Sequence, residues 1–307
     1  MTTIIFSISG GLIMFALIIW VLHRERKKNR YSPFTEKMLR SPGYTLNNQL
    51  QDVFDDLLEP VLALCFLPVI LYLLTKDVSF GVKVLSGGGV LLVVAWEMSK
   101  LRKLLLKSRK IKLGLDGEIY TGQELNYLMR KGAWVYHDIP YKYGNIDHVV
   151  ISKSGIYAVE TKAVRKPMNK NGGRDAKVFV KNGSLVFPHF TTSKPIKQAK
   201  QHTDYLKKAL LDKTGYRYPV YAVVALPGWY VDKGKNKNGF LVVNPQRGKG
   251  LGKFIQTEKI PEREQNNAVR EIELFARTVE SRTDISDPDA KKKYSFFLNK
   301  KHEEAKL

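Results

Sequence analysis

The chain has 307 residues, with 51 Lys+Arg against 29 Asp+Glu and a formal net charge of +22. A surplus of that size favours polyanionic partners, either nucleic acid or anionic lipid headgroups. The single cysteine, Cys65, excludes an internal disulfide framework and a cysteine-built zinc site.

Thr3 to Leu22 is a run of twenty residues without a charge, long enough to cross a bilayer core as one helix. A cleaved signal peptide fits it poorly, because no Lys or Arg precedes the run and HRERKKNR follows it. Two further apolar runs cover 57–75 and 78–98, interrupted by Glu59, Pro60 and Pro68 in one and Lys83 in the other. They read as two spans, with a re-entrant hairpin as the alternative. Segments 23–59 and 99–112 each carry seven Lys/Arg, while the connection between the second and third runs carries Lys76. The positive-inside rule puts both basic segments in the cytoplasm. The predicted topology has three spans in the inner (cytoplasmic) membrane, with everything after residue 100 on the cytoplasmic face.

Beyond SKLRKLLLKSRK the pattern becomes that of a soluble α/β domain. Asp116–Arg130 has a rough helical period ending at Gly132. Ala133–Ile139, Asn145–Ser152 and Gly155–Lys162 read as strands, the last two joined at Ser154-Gly155. Asn182-Gly183 signals a hairpin between Ala176–Lys181 and Ser184–Phe187. Lys194–Leu211 reads as a helix, Val220–Leu226 and Phe240–Val243 as strands, and Glu262–Glu280 as a final amphipathic helix. The fold class is α/β, a mixed sheet flanked by helices and preceded by a transmembrane region. The expected division is 1–112, 113–260 and 261–307, the last a helix and charged tail.

The candidate chemistry lies in the second predicted hairpin. Glu160 and Lys162 share a strand face because side chains alternate. A two-residue Ser154-Gly155 loop places Asp147 opposite Lys162 and diagonal to Glu160, whereas a three-residue loop turns it to the other face. Two carboxylates can hold Mg²⁺ or Mn²⁺, which polarises a phosphate and acidifies a bound water, and a lysine can offset charge developing on the phosphate. An ordinary Asp147–Lys162 ion pair is the structural alternative. Residues 148–257 hold 21 basic and 5 acidic side chains, a surplus suited to non-specific phosphate contacts. Lys153, Arg165, Lys166, Lys170, Arg174, Lys177 and Lys181 supply part of it, with Phe179, Phe187 and Phe190 interleaved as base-stacking or core residues.

Gly117-Glu118 at a predicted helix start, GNIDHVVIS at 144–152 and GIYAVETKAVRKP at 155–167 together resemble the NERD (nuclease-related) domain of the PD-(D/E)XK nuclease superfamily, over roughly residues 113–230. The resemblance implies a restriction-endonuclease-like fold and a metal-dependent nuclease acting on DNA in preference to RNA. It implies Asp147 and Glu160 as metal ligands, Lys162 as the catalytic lysine and Glu118 as a further acidic group. It also singles out Gln198, and the Gln201/Tyr205 spacing used for nucleic-acid contacts in some related nucleases. The alternative function is a non-catalytic, membrane-tethered nucleic-acid-binding module.

Overall fold

Two long helices come first. Helix α1, Tyr44–Thr75, continues through Pro60 and Pro68, and α2, Phe80–Leu125, is unbroken for 46 residues. The computed structural model describes residues 36–167, 176–232, 239–252 and 259–279, with Leu17, Trp20 and Val21. Beyond those three residues, the first predicted span lies outside the described residues, as do Lys170, Arg174 and the C-terminal tail.

Helices α1 and α2 pack as an antiparallel hairpin, and both are long and apolar enough to cross a membrane. Apolar side chains on both, among them Leu74, Phe80, Leu85 and Trp96, are exposed, an arrangement costly in water. The sequence reading is corrected at one point here. Gly117-Glu118 does not open a helix, because both residues sit inside α2. The regular helix gives way after Leu125 to a 3₁₀ turn over Asn126–Lys131, closed by left-handed Gly132.

A five-stranded mixed sheet follows. Its strands are β1 (Trp134–Tyr141), β2 (Gly144–Ser152), β3 (Gly155–Thr161), β7 (Val220–Ala225) and β9 (Phe240–Val243), in the order β9-β7-β3-β2-β1. β1, β2 and β3 are antiparallel neighbours, while β7 lies parallel to both β3 and β9. Central β3 is buried from Gly155 to Glu160, which explains a near-continuous apolar run where alternation would mark a half-exposed strand.

A smaller sheet has the order β6-β5-β4-β8, from β4 (Lys177–Lys181), β5 (Ser184–Val186), β6 (Thr191–Thr192) and β8 (Tyr230–Asp232). The two shortest strands, β6 and β8, carry no sequence periodicity. Positive φ at Asn182 (47°) and Gly183 (69°) bears out the predicted turn.

Helices close the layers. Leu206 and Leu210 of α3 (Lys194–Thr214) and Ala268 and Ile272 of α4 (Glu262–Ala276) pack with Val149, Ile151 and Ala158. Leu125 and Leu128, at the end of α2 and just after it, pack with Val150, Tyr157, Val159 and Val223. The final helix is shorter than its amphipathic period suggested: it ends at Ala276, and Arg277–Val279 is extended. Residues 39–276 form one compact unit, and among the described residues Lys37, Met38 and Arg277–Val279 belong to a second. Within the second unit, Arg277 donates to the Lys37 carbonyl at 3.2 Å.

One glycine positions α2 against the sheet. A Cβ on Gly117 would stand 2.6 Å from Ala163 Cβ and 3.6 Å from Thr161 Cγ2, so its absence lets the helix approach the end of β3. Gly117→Ala is expected to lower the stability of the full-length chain by about 1–3 kcal/mol, through overpacking. Thermal melting checks this, and an unchanged midpoint would mean that the helix shifts freely.

Candidate active site

The β2–β3 register pairs Ser152 with Gly155 and His148 with Val159. Continued by one pair, it sets Asp147 directly opposite Glu160. The connection has two residues, as expected, but they are Lys153-Ser154, which corrects both the Ser154-Gly155 loop and the Asp147–Lys162 pairing. The shift comes from Gly155, which joins the strand at φ 151°. A Cβ there would meet the Pro219 carbonyl oxygen and the Tyr221 ring, each at 2.7 Å.

Each layer contributes to the site. Asp147 and Glu160 come from β2 and β3, Glu118 from α2 and His202 from α3. Asp147, Glu160 and Glu118 are only 7, 8 and 7 % exposed. Asp147 Oδ2 accepts the Thr161 backbone N–H at 2.7 Å. His202 Nδ1 stands 3.5 Å from Glu160 Oε2, and the ring meets Tyr141 edge-on at 5.2 Å. Glu118 Oε2, Thr161 Oγ1 and His202 Nδ1 are buried without a hydrogen-bond partner, and such atoms are costly unless something else satisfies them.

Burial, with repulsion from neighbouring carboxylates, raises all three acids above their ordinary values. Burial, reinforced by the charges of Asp147 and Asp138, pushes Glu118 up to about 9. Burial pushes Asp147 to about 7 despite the Thr161 N–H. Glu160 is raised well above its ordinary value by burial, then by Asp147 and Glu118, with Lys162 and Lys194 opposing. Lys162, exposed just beyond β3, and Lys194, at the start of α3, are thus the cations facing the acids. Burial also lowers His137 and His202 to about 4.

A carboxyl whose pKa rises on folding ionises first in the unfolded chain. Its contribution to stability therefore falls as pH climbs from the unfolded value to the folded one. The lowered histidines act oppositely, but only below their unfolded value of 6.5. The metal-free protein is therefore expected to melt at lower temperature at pH 9 than at pH 7. Glu118→Gln should remove a share on the order of 2 kcal/mol of that loss. A wild-type melting profile flat over that range would contradict the burial of an ionisable Glu118.

Sequence reasoning missed Asp138, the best-satisfied acid in the domain. Fully buried, it accepts Arg40 Nη1 and Thr45 Oγ1 at 2.7 Å on Oδ2, and Thr45 N at 3.1 Å and Asn145 Nδ2 at 2.8 Å on Oδ1. Its backbone is left-handed, at φ 52°, and the β1–β2 ladder skips the position between His137 and Ile139. His137 and His148, flanking Asp138 and Asp147 in sequence, stand with their Nδ1 atoms 2.9 Å apart.

The remaining sequence candidates divide by position. Gln198 lies one helical turn before His202 on α3, Gln201 is exposed, and Tyr205 packs on Tyr141 at 5.2 Å. Arg165 and Lys166 follow Lys162 in the exit from β3, and Lys166 passes over Gly228. Lys153 occupies the hairpin turn, about 20 Å along the strand from Asp147; its carbonyl accepts the N–H groups of Lys259 and Ile260, each at 2.8 Å. Of the phenylalanines, Phe187 is core, stacked on Phe190 and edge-on to Trp229. Phe179 is on the outer face of the small sheet between the ammonium groups of Lys177 and Lys181, at 4.7 and 5.3 Å.

Among the described residues, no group of three or more His, Cys, Asp or Glu side chains stands ready to hold a metal ion. The donor set still fits Mg²⁺ or Mn²⁺. Mg²⁺ takes one or two carboxylates and completes its shell with water and phosphate oxygens, which Asp147 and Glu160 can satisfy. The unpartnered Glu118 Oε2 is a further oxygen at hand.

Buried carboxylates with lysines close by are a donor set that phosphodiester chemistry can use. The family model described as nuclease-related domain, NERD, matches residues 113–227, and the chain carries a nuclease-related domain over that stretch. No curated protein and no solved structure matches the chain.

Proposed function

We propose that the chain is a membrane-anchored, metal-dependent nuclease of the PD-(D/E)XK kind, hydrolysing phosphodiester bonds of nucleic acid, DNA in preference to RNA, at the cytoplasmic face. The observation that carries this reading is the trio of buried acids Asp147, Glu160 and Glu118, each raised above its ordinary pKa by burial, beside Lys162 and Lys194. Three such groups are expensive to fold together, and an Mg²⁺ or Mn²⁺ ion relieves the cost. Asp147 and Glu160 would hold the ion. When bound, it supplies Lewis-acid polarisation of the phosphate and a more acidic water.

The chain's own groups do the rest. The Thr161 N–H fixes the Asp147 carboxylate, Lys162 and Lys194 meet phosphate charge, and Gly117 admits Glu118 to the site. The outer face of the small sheet and α3 add Lys177, Lys181, Lys197 and Lys200 as non-specific backbone contacts. Helices α1 and α2, with the basic run at 99–112, support anchoring with this domain in the cytoplasm.

The test uses the full-length chain in detergent or nanodiscs, with labelled DNA and RNA in Mg²⁺, Mn²⁺ or EDTA. Cutting that requires the metal supports the proposal. Salt-sensitive binding with no cutting in any of the three favours the tethering module instead.

A further inference from the structure

His202 is the one group at the site whose environment is otherwise apolar or spent. It is 2 % exposed, packed against Tyr141, and its Nδ1 has no hydrogen-bond partner. The atom nearest to satisfying Nδ1 is Glu160 Oε2, at 3.5 Å, too long for a well-formed hydrogen bond. Helix α3 carries Ile196, Ala199, Leu206 and Leu210 on the same buried side. An apolar residue at 202 would complete that stripe, so the imidazole is not there for packing.

We infer that His202 is a positioning residue for Glu160. Its Nδ1–H is aimed at Oε2 and leaves Oε1 to a cation. This rests on the nuclease reading and deepens it. Carboxylates that bind metals are themselves held by outer hydrogen bonds, and loss of such a partner commonly weakens binding 10–100-fold. The Asp147 carboxylate has such a partner in the Thr161 N–H; His202 is the corresponding partner of Glu160.

The experiment is Mn²⁺ binding to the full-length chain, followed by the loss of the free-ion paramagnetic resonance signal. Wild type, Asp147→Asn, His202→Leu, His202→Asn and His202→Gln are compared, and each variant is melted without metal. Asparagine puts an amide N–H near the Nδ1 position, whereas the glutamine amide reaches toward Nε2. His202→Leu is expected to weaken Mn²⁺ binding by about tenfold or more, and His202→Asn to restore most of it. His202→Gln should stay weak. A purely structural histidine would give affinities that follow the melting temperatures instead of the position of the N–H donor.

Wild-type affinity in His202→Leu, with Asp147→Asn still defective, overturns the role of His202 and leaves the nuclease reading standing. So does equal weakness in His202→Leu and His202→Asn. Wild-type binding no tighter than that of Asp147→Asn removes the nuclease reading, and the role of His202 with it.

Discussion

Asp147→Ala and Lys162→Ala are each expected to lower metal-dependent cutting by about a thousandfold or more, the scale on which removal of a charge-stabilising group acts. The two should differ in what else they change. Asp147 is a proposed ligand, so its loss also removes Mn²⁺ affinity. Lys162 is exposed beyond β3 and is a proposed phosphate contact, so its loss should leave ion binding nearly intact. The metal-free stabilities should diverge too. Asp147 sits buried opposite Glu160 and raises the cost of ionising it, so alanine there relieves repulsion, offsetting part of the cavity it leaves. Nuclease assays beside metal titrations separate these effects. Full activity in Asp147→Ala would show that Asp147 is no ligand and sink the assignment.

Asp138→Ala is expected to be the most destabilising single substitution in the domain, at about 3–5 kcal/mol. It removes the acceptor shared by the Arg40 guanidinium, the Thr45 N–H and hydroxyl, and the Asn145 amide, all of which converge on one carboxylate. Because Thr45 lies in the first turn of α1, the loss also frees that helix from β1. Thermal melting checks the size of the effect, and a drop below about 1 kcal/mol would mean that water replaces the carboxylate without strain. The double variant Arg40→Met with Asp138→Leu should recover much of the loss, since an apolar pair of similar bulk replaces both charges of the buried pair.

The sheet was legible wherever burial writes a pattern. GIYAVET and VYAVVA read as buried strands because both of their faces are covered. NGS between two short strands specified a hairpin through positive φ. The short strands Thr191–Thr192 and Tyr230–Asp232 were illegible, being too brief to show a period. The end of α4 misled because Arg277–Val279 continues the amphipathic pattern in extended form.

In the site, the motif residues were readable from the resemblance, but their pairing was not. The register depends on Gly155 entering β3 beside Pro219 and Tyr221, a long-range contact invisible in the local sequence. His202 stayed hidden because one helical position looks like another until the sheet beneath is known. Asp138 stayed hidden because its partners are more than ninety residues away along the chain, apart from Asn145.

Helix α2 runs without a break from Phe80, in its apolar half, to Leu125, and carries Glu118 near its far end. Eighteen residues separate Lys100 from Glu118, about 27 Å at the helical rise. Under the proposed topology, such a connection is a mast and not a leash. The cutting centre would stand at a fixed height above the lipid and sweep no volume of its own. Its substrates would be selected by where they travel: a strand threading past the bilayer surface would be within reach, and one free in the cell interior would not.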